Sequence, residues 1–313
     1  MRKAFLLYNP LAGRRQGRRL ADVEAALSVL RDGGVEATAA PTRAAATADQ
    51  ARQAIQQGCD TVFACGGDGT VHDVLQALVG SNVALGIIPM GTANSLAHDL
   101  GLPFSPADAA QAALTAKPRR IAVGRVEYQD LTCKPASRYF TVTVGIGVDA
   151  HLFYELNAAA KHRFGMAAYC VKATHLWLTH KMEKFVAEIT DGGPPHPVEV
   201  SQLLAVRIRD FGGVLRELAP GASLERDDLR LVLFQTRSRL AYLRYVMRGL
   251  LGAQWDVPGI ELVHSSGVTC RALDLPASPA TKSRIFVEAD GELLGTLPAT
   301  ITMLRDAVTL LAP

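Results

Sequence analysis

The sequence predicts a two-domain protein, with an α/β nucleotide-binding domain at the N-terminus and a β-rich, β-sandwich-like domain after it. Its 313 residues exceed the usual length of one domain. Short apolar runs alternate with helical patterns up to about residue 120, which is typical of a parallel, doubly wound sheet. Beyond about residue 119 the hydrophobic period shifts to two, which indicates strands. We expect one domain over 1–122, with 300–313 as its candidate completion, a second over 123–299, and an active site in the cleft between them.

The elements of the first domain follow from its apolar runs and from the turn residues between them. Glycine, proline and asparagine interrupt the chain after the apolar runs, and amphipathic stretches follow. Because strand and helix patterns alternate, parallel strands joined by helices are expected. Strands are predicted over 4–8, 35–39, 61–64 and 83–88, and helices over about 18–30, 45–57, 71–79 and from near Thr92 onward.

The second domain consists mainly of alternating apolar and polar residues. Two helical patterns, about 156–180 and 238–252, interrupt it. Residues 192–197 and 276–279 are rich in glycine and proline and are predicted to be exposed turns. The apolar residues 300–311 fit either domain. Strands are predicted around 121–123 and over 139–144, 185–189, 203–208, 229–234 and 285–288.

Composition argues against several classes of protein. Lysine plus arginine exceeds aspartate plus glutamate by only three (33 − 30), and aromatic residues are 6%, so nucleic-acid binding has no support. The five cysteines form no C-x-x-C pair, and the histidines show no zinc-ligand spacing. No apolar run approaches the roughly 18 residues of a membrane span, and the N-terminal run is short for a signal peptide. A cytoplasmic protein is expected.

The most informative stretch, C-G-G-D-G-T at 65–70, joins an apolar strand to a helical pattern. Glycine lets the main chain approach a bulky anion, and amides at a helix N-terminus attract phosphate. Asp68 is unusual there, because a carboxylate repels phosphate unless it binds a metal, orients a hydroxyl or caps the helix. The alternative is a plain tight turn with Asp68 as its cap.

Two further turns make the same passage from strand to helix. They are N-P-L-A-G at 9–13 and I-P-M-G-T-A-N-S-L-A at 88–97. The carboxyl ends of parallel strands meet at one edge of the sheet, where open α/β proteins bind their ligands. The three turns together therefore favour a shared phosphate-binding site over three unrelated loops.

These three segments resemble the catalytic family of diacylglycerol kinases, which also includes sphingosine and ceramide kinases and the bacterial lipid kinases. The shared motifs are N-P-x-x-G at 9–13, G-G-D-G-T at 66–70 and P-x-G-T-x-N-x-x-A at 89–97. Later segments are similar as well, namely R-Y-F at 138–140, G-I-G-V-D-A at 145–150, R-F-G at 163–165 and D-G-E at 290–292. The resemblance spans nearly the whole chain.

The resemblance implies an ATP-dependent lipid kinase of phospholipid metabolism, with ATP and Mg²⁺ as cofactors. The γ-phosphoryl group would pass to a diacylglycerol-like lipid at a membrane surface. Asp290 and Glu292 would accept the hydroxyl proton, which of them is the base stays open, and Asp68 completes the catalytic set. By spacing alone, Asp290 and Glu292 also fit a solvated hairpin turn. The implied nucleotide-binding residues are Asn9, Pro10, Gly13, Thr42, Gly66, Gly67, Asp68, Gly69, Thr70, Gly91, Thr92 and Asn94.

The sequence departs from the family pattern in two places. The family's acidic segment is about P-x-A-x-x-D-D-G-x-L-D, and in bacterial members it helps to bind a structural Mg²⁺. Here Glu225, Arg226 and Asp227 occupy the D-D-G positions, and Arg230 occupies that of the last acid. Because Mg²⁺ takes oxygen ligands, this site is in doubt; Asp227 is the candidate ligand, and an exposed acidic loop is the alternative. Ala122 likewise replaces the family's aspartate before V-G.

Basic and apolar residues suggest further surfaces. The stretch 237–251 reads as a basic amphipathic helix, which either rests on anionic lipid or packs into the core with a solvated arginine face. Arginines 14, 15, 18 and 19 either steer nucleotide toward the first turn or form an ordinary solvated helix start. The apolar stripe over 164–178 either lines an acyl-chain pocket or belongs to the core. Peripheral membrane association and a homo-oligomer are both left open.

Two rival functions compete with the lipid kinase. NAD kinases also carry G-G-D-G-T, but this sequence contains no N-E dipeptide, which their companion motif requires. The second rival is a regulator that binds lipid or nucleotide with weak or no turnover. The replacements at Ala122 and Arg226 motivate it.

Overall fold

The computed structural model describes residues 1–13, 16–43, 45–148, 150, 182–190, 192–212, 217–252, 255–273 and 285–313. The chain forms two compact units. Unit 1 comprises Met1–Val123, a short segment from Ile208 and Leu304–Pro313, and unit 2 comprises Gly124–Arg207 and Glu217–Met303. Several predicted features lie outside the described residues: the helix over 156–180 with its R-F-G motif and apolar stripe, the turn at 276–279, and residues 14, 15 and 149.

Unit 1 is built on a parallel sheet. In the part of the chain that the structure describes, its strands run in the order β15-β4-β3-β1-β2. Consecutive side chains of a strand point to opposite faces of the sheet. Leu6 and Leu7 of β1 are both buried, so both faces of the sheet are covered. The strands are β1 (Lys3–Tyr8), β2 (Glu36–Pro41), β3 (Thr61–Gly66), β4 (Ala84–Pro89) and the end of β15 (Glu292–Ala312).

Helices cover this sheet, and they begin where the strand-end turns finish. Helix α1 packs against α5, and α2 packs against α3. Asn94 adopts a left-handed φ of 54°, so the helix expected from near Thr92 starts only at Ser95. The helices are α1 (Arg19–Asp32), α2 (Thr47–Gln56), α3 (Asp68–Leu78), α4 (Ser95–Asp99) and α5 (Pro106–Thr115), with a 3₁₀ turn at Gln16–Arg18 before α1.

Unit 2 is a β-sandwich-like body. One layer runs β12-β11-β10-β7-β14-β15, and β15 also pairs with β13 of a second group in the order β9-β8-β13. Alternate residues of both layers, such as Leu231 and Val268, share one buried core. The strands are β5 (Lys117–Asp130), β6 (Pro135–Phe140), β7 (Thr143–Gly147), β8 (Phe185–Thr190), β9 (His196–Val200), β10 (Gln202–Val206), β11 (Leu229–Phe234), β12 (Ile260–Ser265), β13 (Gly267–Ala272) and β14 (Phe286–Ala289).

The predicted fold class, an α/β domain followed by a β-rich domain, is confirmed. The helix predicted over 238–252 is α6 (Arg239–Leu251), which begins after the Ser238 cap and ends at Gly252. The predicted turn at 192–197 is shorter than expected, because Pro197 already belongs to β9. Among the described residues, no helix combines the length and apolar character needed to cross a membrane.

Candidate active site

In chain order the turn at 9–13 is the first, that at 65–70 the second and that at 88–97 the third. The second and third turns touch at Gly67 and Gly91. A Cβ on Gly67 would lie 3.2 Å from the Gly91 Cα, and a Cβ on Gly91 would overlap the Gly67 Cα. Strands β3 and β4 pair up to Gly66 and Pro89, and the Met90 amide then donates to the Gly66 carbonyl at 2.8 Å. Only glycine allows two main chains to approach this closely. These two turns therefore form one continuous main-chain surface at the carboxyl ends of β3 and β4.

Asp68 fixes the third turn to the second. Its carboxylate accepts hydrogen bonds from the Asn94 amide at 2.9 Å and from the Ser95 amide at 2.7 Å. These amides belong to the N-terminus of α4, whereas Asp68 is the first residue of α3. Asp68 thus caps the neighbouring helix, where a negative charge is favourable. Of the roles open to this carboxylate from sequence, capping is the one that the described contacts support.

Asn94 holds the third turn closed with its own side chain. Its Oδ1 accepts from the Gly91 amide at 2.8 Å, and its Nδ2 donates to the Gly91 carbonyl at 3.1 Å. The residue is 7% exposed. Its side-chain amide therefore shapes the turn from within, and the neighbouring Thr92 is exposed at the turn's surface.

The first turn approaches the third at Gly13. Gly13 has a φ of 64°, and a Cβ there would overlap the Met90 carbonyl oxygen. Asn9 shapes the start of this turn: its Oδ1 accepts from the Leu11 amide at 2.9 Å, and its own amide donates to the Cys65 carbonyl at 3.0 Å. Main chain from the first turn thus reaches the ends of both β3 and β4.

Arg19 links the first and third turns and was misjudged from sequence. Its Nη2 donates to the Ala12 carbonyl and, at 3.2 Å, to the Met90 carbonyl, and its side chain is buried. A solvated helix start does not describe this buried residue, whereas nucleotide steering by the arginine cluster stays a prediction. A signal was present in the sequence, because Arg19 falls in helical register with Val23 and Leu27, which are buried on the inner face of α1.

The remaining predicted nucleotide-binding residues lie around these turns. The Thr42 amide donates to the Tyr8 carbonyl at 2.8 Å, which places the end of β2 beside the first turn. Thr70 is buried, and its side chain fills the space that a Cβ on Gly66 would need. The Thr70 hydroxyl therefore packs inward. Gly69 lies in the first turn of α3, where the main-chain amides point toward the N-terminal end of the helix.

A cavity of about 540 Å³ adjoins the third turn within unit 1. Met90 and Phe104 contribute apolar walls, and Arg19, Gly91 and Thr92 contribute polar and main-chain groups. This volume lies in the range of sites for small ligands, which are largely apolar with a few polar groups. Main-chain groups of the third turn, beside these apolar walls, can contact a ligand that carries both polar groups and an apolar ring.

In unit 2, Asp290 is held by main-chain amides. Its carboxylate accepts from the amides of Thr141 at 3.0 Å, Val142 at 2.9 Å and Thr143 at 3.0 Å, and it is 7% exposed. Its own amide donates to the Thr143 carbonyl at 2.9 Å. A carboxylate offers about four acceptor directions, so these three bonds use most of them. Asp290 therefore stabilises the segment that leads into β7.

The D-G-E motif forms the predicted hairpin turn, between β14 and β15. Asp290 and Gly291 have φ values of 48° and 82°, which is typical of a type I′ turn. Glu292 is exposed as the first residue of β15. A third acid was missed from sequence: Glu288 is 1% exposed, and its Oε2 accepts from the Gly291 amide at 3.0 Å. The sequence offered little signal for it beyond its place inside an apolar strand.

Asp227 lies in the acidic segment of unit 2. Its neighbour Asp228 pairs with Arg226 and lies 3.3 Å from the His264 Nδ1. Burial raises the pKa of Asp228, but the Arg226 hydrogen bond and the charges of His264 and Arg226 outweigh it and hold the pKa below its usual value. Across the described ranges, no group of three or more His, Cys, Asp and Glu side chains is arranged to hold a metal ion. The metal role of Asp227 stays a prediction.

Two families of known proteins match the chain. Residues 3–126 match the family described as "Diacylglycerol kinase catalytic domain", and residues 142–312 match "YegS C-terminal NAD kinase beta sandwich-like domain". A relative from Bacillus subtilis (strain 168), named diacylglycerol kinase, is 26% identical over 318 residues, covering 100% of this chain and 97% of the relative. A second, from Staphylococcus aureus (strain MRSA252), carries the same name at 25% identity, with 100% and 93% covered.

Solved structures share the fold. The crystal structure of a diacylglycerol kinase from Bacillus anthracis str. Sterne has a TM-score of 0.71 at 18% identity and covers 99% of this chain and 97% of that one. Yeast NADH kinase in complex with NADH has a TM-score of 0.54 at 10% identity, with 100% and 84% covered. The fold is thus common to both kinds of kinase, and fold alone does not choose between their substrates.

Proposed function

We propose a function from one premise: the chain belongs to the diacylglycerol kinase catalytic-domain family. Relatives that span the whole chain are named diacylglycerol kinase, which supports a kinase of that family. The specific proposal is transfer of the ATP γ-phosphoryl group to a lipid hydroxyl, with diacylglycerol as the leading acceptor. Phosphoryl transfer of this kind depends mainly on positioning and on neutralising phosphate charge.

The joined glycine turns carry the proposal. Gly67 and Gly91 meet main chain to main chain, and Asp68 ties the N-terminus of α4 to that of α3. The Asn94 and Ser95 amides of α4 are bound to Asp68, so the helix N-terminus proposed for phosphate is that of α3, which follows the second turn directly. The cavity beside Gly91 and Phe104 is large enough for the base of the nucleotide.

Magnesium fits the proposed reaction as a companion of the nucleotide. When bound to the phosphates, Mg²⁺ supplies charge neutralisation. Asp68 is the acidic residue of the second glycine turn, and both of its carboxylate oxygens already accept hydrogen bonds from main-chain amides. The proposed task of this chain's residues in unit 1 is therefore to position phosphate oxygens through main-chain amides of the second turn and of α3, while Asp68 holds the third turn beside them.

We assign proton acceptance to Glu292 rather than to Asp290. The Asp290 carboxylate is buried and accepts three amide bonds, so its removal would disturb the chain around Thr141. Glu292 stands exposed at the start of β15, where a hydroxyl can reach it. A base must come within hydrogen-bonding distance of the proton that it accepts, and Glu292 is the more accessible of the two carboxylates.

Radiolabelled ATP tests this function. The purified protein is incubated with [γ-³²P]ATP, Mg²⁺ and separate acceptors: diacylglycerol and sphingosine in mixed micelles, and NAD. Label in phosphatidic acid supports the proposal, and label in another phospholipid retains a lipid kinase with a different acceptor. Label only in the dinucleotide would favour the NAD kinase alternative. ATP binding without any labelled product would favour the regulator.

Helix α6 supports peripheral contact with a membrane. Its buried face consists of small and tyrosine side chains, with Tyr242 and Tyr245 packed on Phe234. The large apolar side chains of this helix are exposed, which contradicts the alternative of a core-packed apolar face. They are Leu240, Leu243, Val246, Met247, Leu250 and Leu251.

We take an anionic lipid surface as the partner of this apolar face. Four arginines, 237, 239, 244 and 248, accompany it, and residues 236–252 contain no acid. A second copy of the chain would bring these like charges together across a twofold axis, whereas anionic headgroups would compensate them. Exposed apolar side chains beside basic ones are typical of helices that lie in the membrane interface.

Vesicle sedimentation tests this surface. The wild type is expected to sediment with phosphatidylglycerol vesicles, less so at high salt, and Leu243→Glu with Met247→Glu should abolish it. Leu131→Glu, at an exposed leucine on the turn after β5, is the matched control. A wild type that stays in the supernatant would remove the membrane assignment. A dimer in solution that the double variant dissociates would replace it with self-association.

A further inference from the structure

Arg207 is a fully buried arginine in the strand-rich unit 2. It follows β10 directly, and its exposure is 0%. Its Nη1 donates to the carbonyls of Arg226 at 2.6 Å and Asp228 at 2.8 Å, and its Nη2 donates to the carbonyl of Leu224 at 3.4 Å. A guanidinium in the protein interior is costly unless oxygens surround it. The oxygens that accept these three bonds come from one loop.

That loop is the acidic segment in which the family pattern expects ligands for a structural Mg²⁺. Carbonyl and carboxylate oxygens turned toward one point are what a hard cation requires. In this chain those carbonyls face the Arg207 guanidinium instead. Burial lowers the pKa of Arg207 to about 10, against the opposing charges of Asp228 and Asp227, so the side chain keeps its charge at neutral pH.

The two departures from the family pattern belong to the same arrangement. Arg230, at the position of the last acid, donates from Nε to the Pro220 carbonyl at 2.7 Å. Arg226, within the D-D-G positions, forms a bidentate pair of hydrogen bonds with the Asp228 carboxylate. Arginines therefore hold the loop at its start, along its length and at its end.

The formal charges of this loop and of Arg207 balance one another. Residues 220–230 contain three acids, 225, 227 and 228, and two arginines, 226 and 230; with Arg207 the sum is three positive against three negative. A divalent cation added to this set would leave two positive charges without compensation, close to the buried guanidinium. The residues present fit an internal organic cation and do not fit a bound Mg²⁺.

We propose that the Arg207 guanidinium takes the place of the structural divalent cation and makes the fold of unit 2 independent of metal. The main-chain amide of Arg207 donates to the Val142 carbonyl at 2.9 Å, so the guanidinium site lies next along the chain to the segment that holds Asp290. The inference concerns the folded state of unit 2 and holds whatever the phosphoryl acceptor is.

Thermal unfolding of the whole protein, without nucleotide, tests this proposal. The wild-type Tm is expected to be the same in EDTA and in millimolar MgCl₂. If unit 2 had a cation site, free Mg²⁺ at about a hundred times the Kd of that site would raise the Tm by several degrees. A saturable rise of the wild-type Tm with Mg²⁺, or a fall in EDTA, would overturn the proposal.

Arg207→Ala provides the second arm, because it leaves the loop carbonyls around an empty space. Its Tm should fall, and non-denaturing guanidinium or Mg²⁺ should restore part of the loss. Arg31→Ala is the control for an exposed arginine: Arg31 also donates to a carbonyl, that of Ala37 at 3.1 Å, but in unit 1 and outside the acidic loop. Restoration by neither cation, or restoration in the control as well, would contradict the proposal. Should Arg207→Ala fail to fold, Arg207→Lys takes its place, and the wild-type arm remains decisive.

Discussion

The carboxylate of Asp68, the first residue of α3, accepts a hydrogen bond of 2.7 Å from the amide of Ser95, the first residue of α4. The two helices follow different strands, so one side chain sets the spacing of two strand-end turns. Asp68 also accepts from the Asn94 amide. The aspartate of the G-G-D-G-T motif therefore has a structural task that does not depend on any contact with substrate.

Asp68→Asn should weaken both the fold and the nucleotide site. An asparagine NH₂ group would face the amide hydrogens of α4, and loss of an N-cap costs about 0.5–2 kcal/mol. We expect a lower Tm and an ATP affinity reduced about tenfold or more, since 1.4 kcal/mol corresponds to tenfold. Neither Tm nor ATP affinity depends on turnover, so these two measurements separate the structural role of Asp68 from a catalytic one.

Asp49→Asn is the control for Asp68→Asn. Asp49 lies in the first turn of α2, is exposed, and pairs with Arg52 of the same helix. Its replacement should change ATP affinity little, because surface pairs of this kind contribute little. If Asp68→Asn bound ATP as the wild type does, the link between α3 and α4 would have no bearing on the nucleotide site.

Arg19→Met should destabilise unit 1. The carbonyls of Ala12 and Met90 would lose their donor in a buried environment, which costs about 1–3 kcal/mol for each group left unsatisfied. Urea unfolding is expected to show a lower midpoint, with Arg19→Lys intermediate because an ammonium group keeps the charge but loses the planar fork. Arg18→Met, at an exposed neighbour, should leave the midpoint almost unchanged. Equal midpoints for both methionine variants would show that Arg19 does not link the turns.

His264 should make stability depend on pH. Burial lowers the pKa of His264, the Arg230 and Arg226 charges lower it further, and the Asp228 charge opposes them. Because the folded-state pKa lies below the unfolded one, the unfolded chain binds the proton first as pH falls, and stability declines below about pH 6.5. Tm profiles should be flatter over this range in His264→Gln than in the wild type. A steeper or unchanged profile in the variant would be inconsistent with this sign.

Glu292→Gln should stop turnover without unfolding the protein. Loss of a general base slows a reaction by about 10²–10⁴-fold, and the hairpin turn does not need the Glu292 charge. We expect kcat for lipid phosphorylation to fall, whereas the KM for ATP and the Tm stay at their wild-type values. Asp290→Asn should instead lower the Tm, because an NH₂ group would face the amides around Val142. Glu199→Gln, at an exposed glutamate of β9, is the control. Full activity in Glu292→Gln would return the base assignment to Asp290 or Asp68.

Sequence patterns predicted the parallel sheet and the strand-end turns because both are local properties of the chain. Glycines after apolar strands indicate close main-chain approach, and the contact of Gly67 with Gly91 is such an approach. Periodicity was a poorer guide at α6, where the regularly spaced leucines are exposed and the tyrosines are buried. Aromatic packing on Phe234 decided which face turned inward, and a hydropathy pattern does not contain that information.

Long-range hydrogen bonds account for most of what the sequence could not predict. Asp68 was expected to cap a helix, but its partner is 27 residues further along the chain. Arg19 and Arg207 were not recognised as buried, because a buried arginine depends on carbonyls that only the folded chain brings together. For Arg207 a signal existed, since it is a charge at the end of the apolar run L-L-A-V.

ATP binding to Gly91→Ala, measured by calorimetry, tests the central claim most directly. The new Cβ would overlap the Gly67 Cα and separate the two turns, whereas Gly17→Ala adds a Cβ that meets no atom within 4 Å. The joined turns predict that Gly17→Ala binds ATP as the wild type does and that Gly91→Ala binds it at least about tenfold more weakly. Unchanged affinity in a folded Gly91→Ala protein would place the nucleotide phosphates elsewhere and contradict the account.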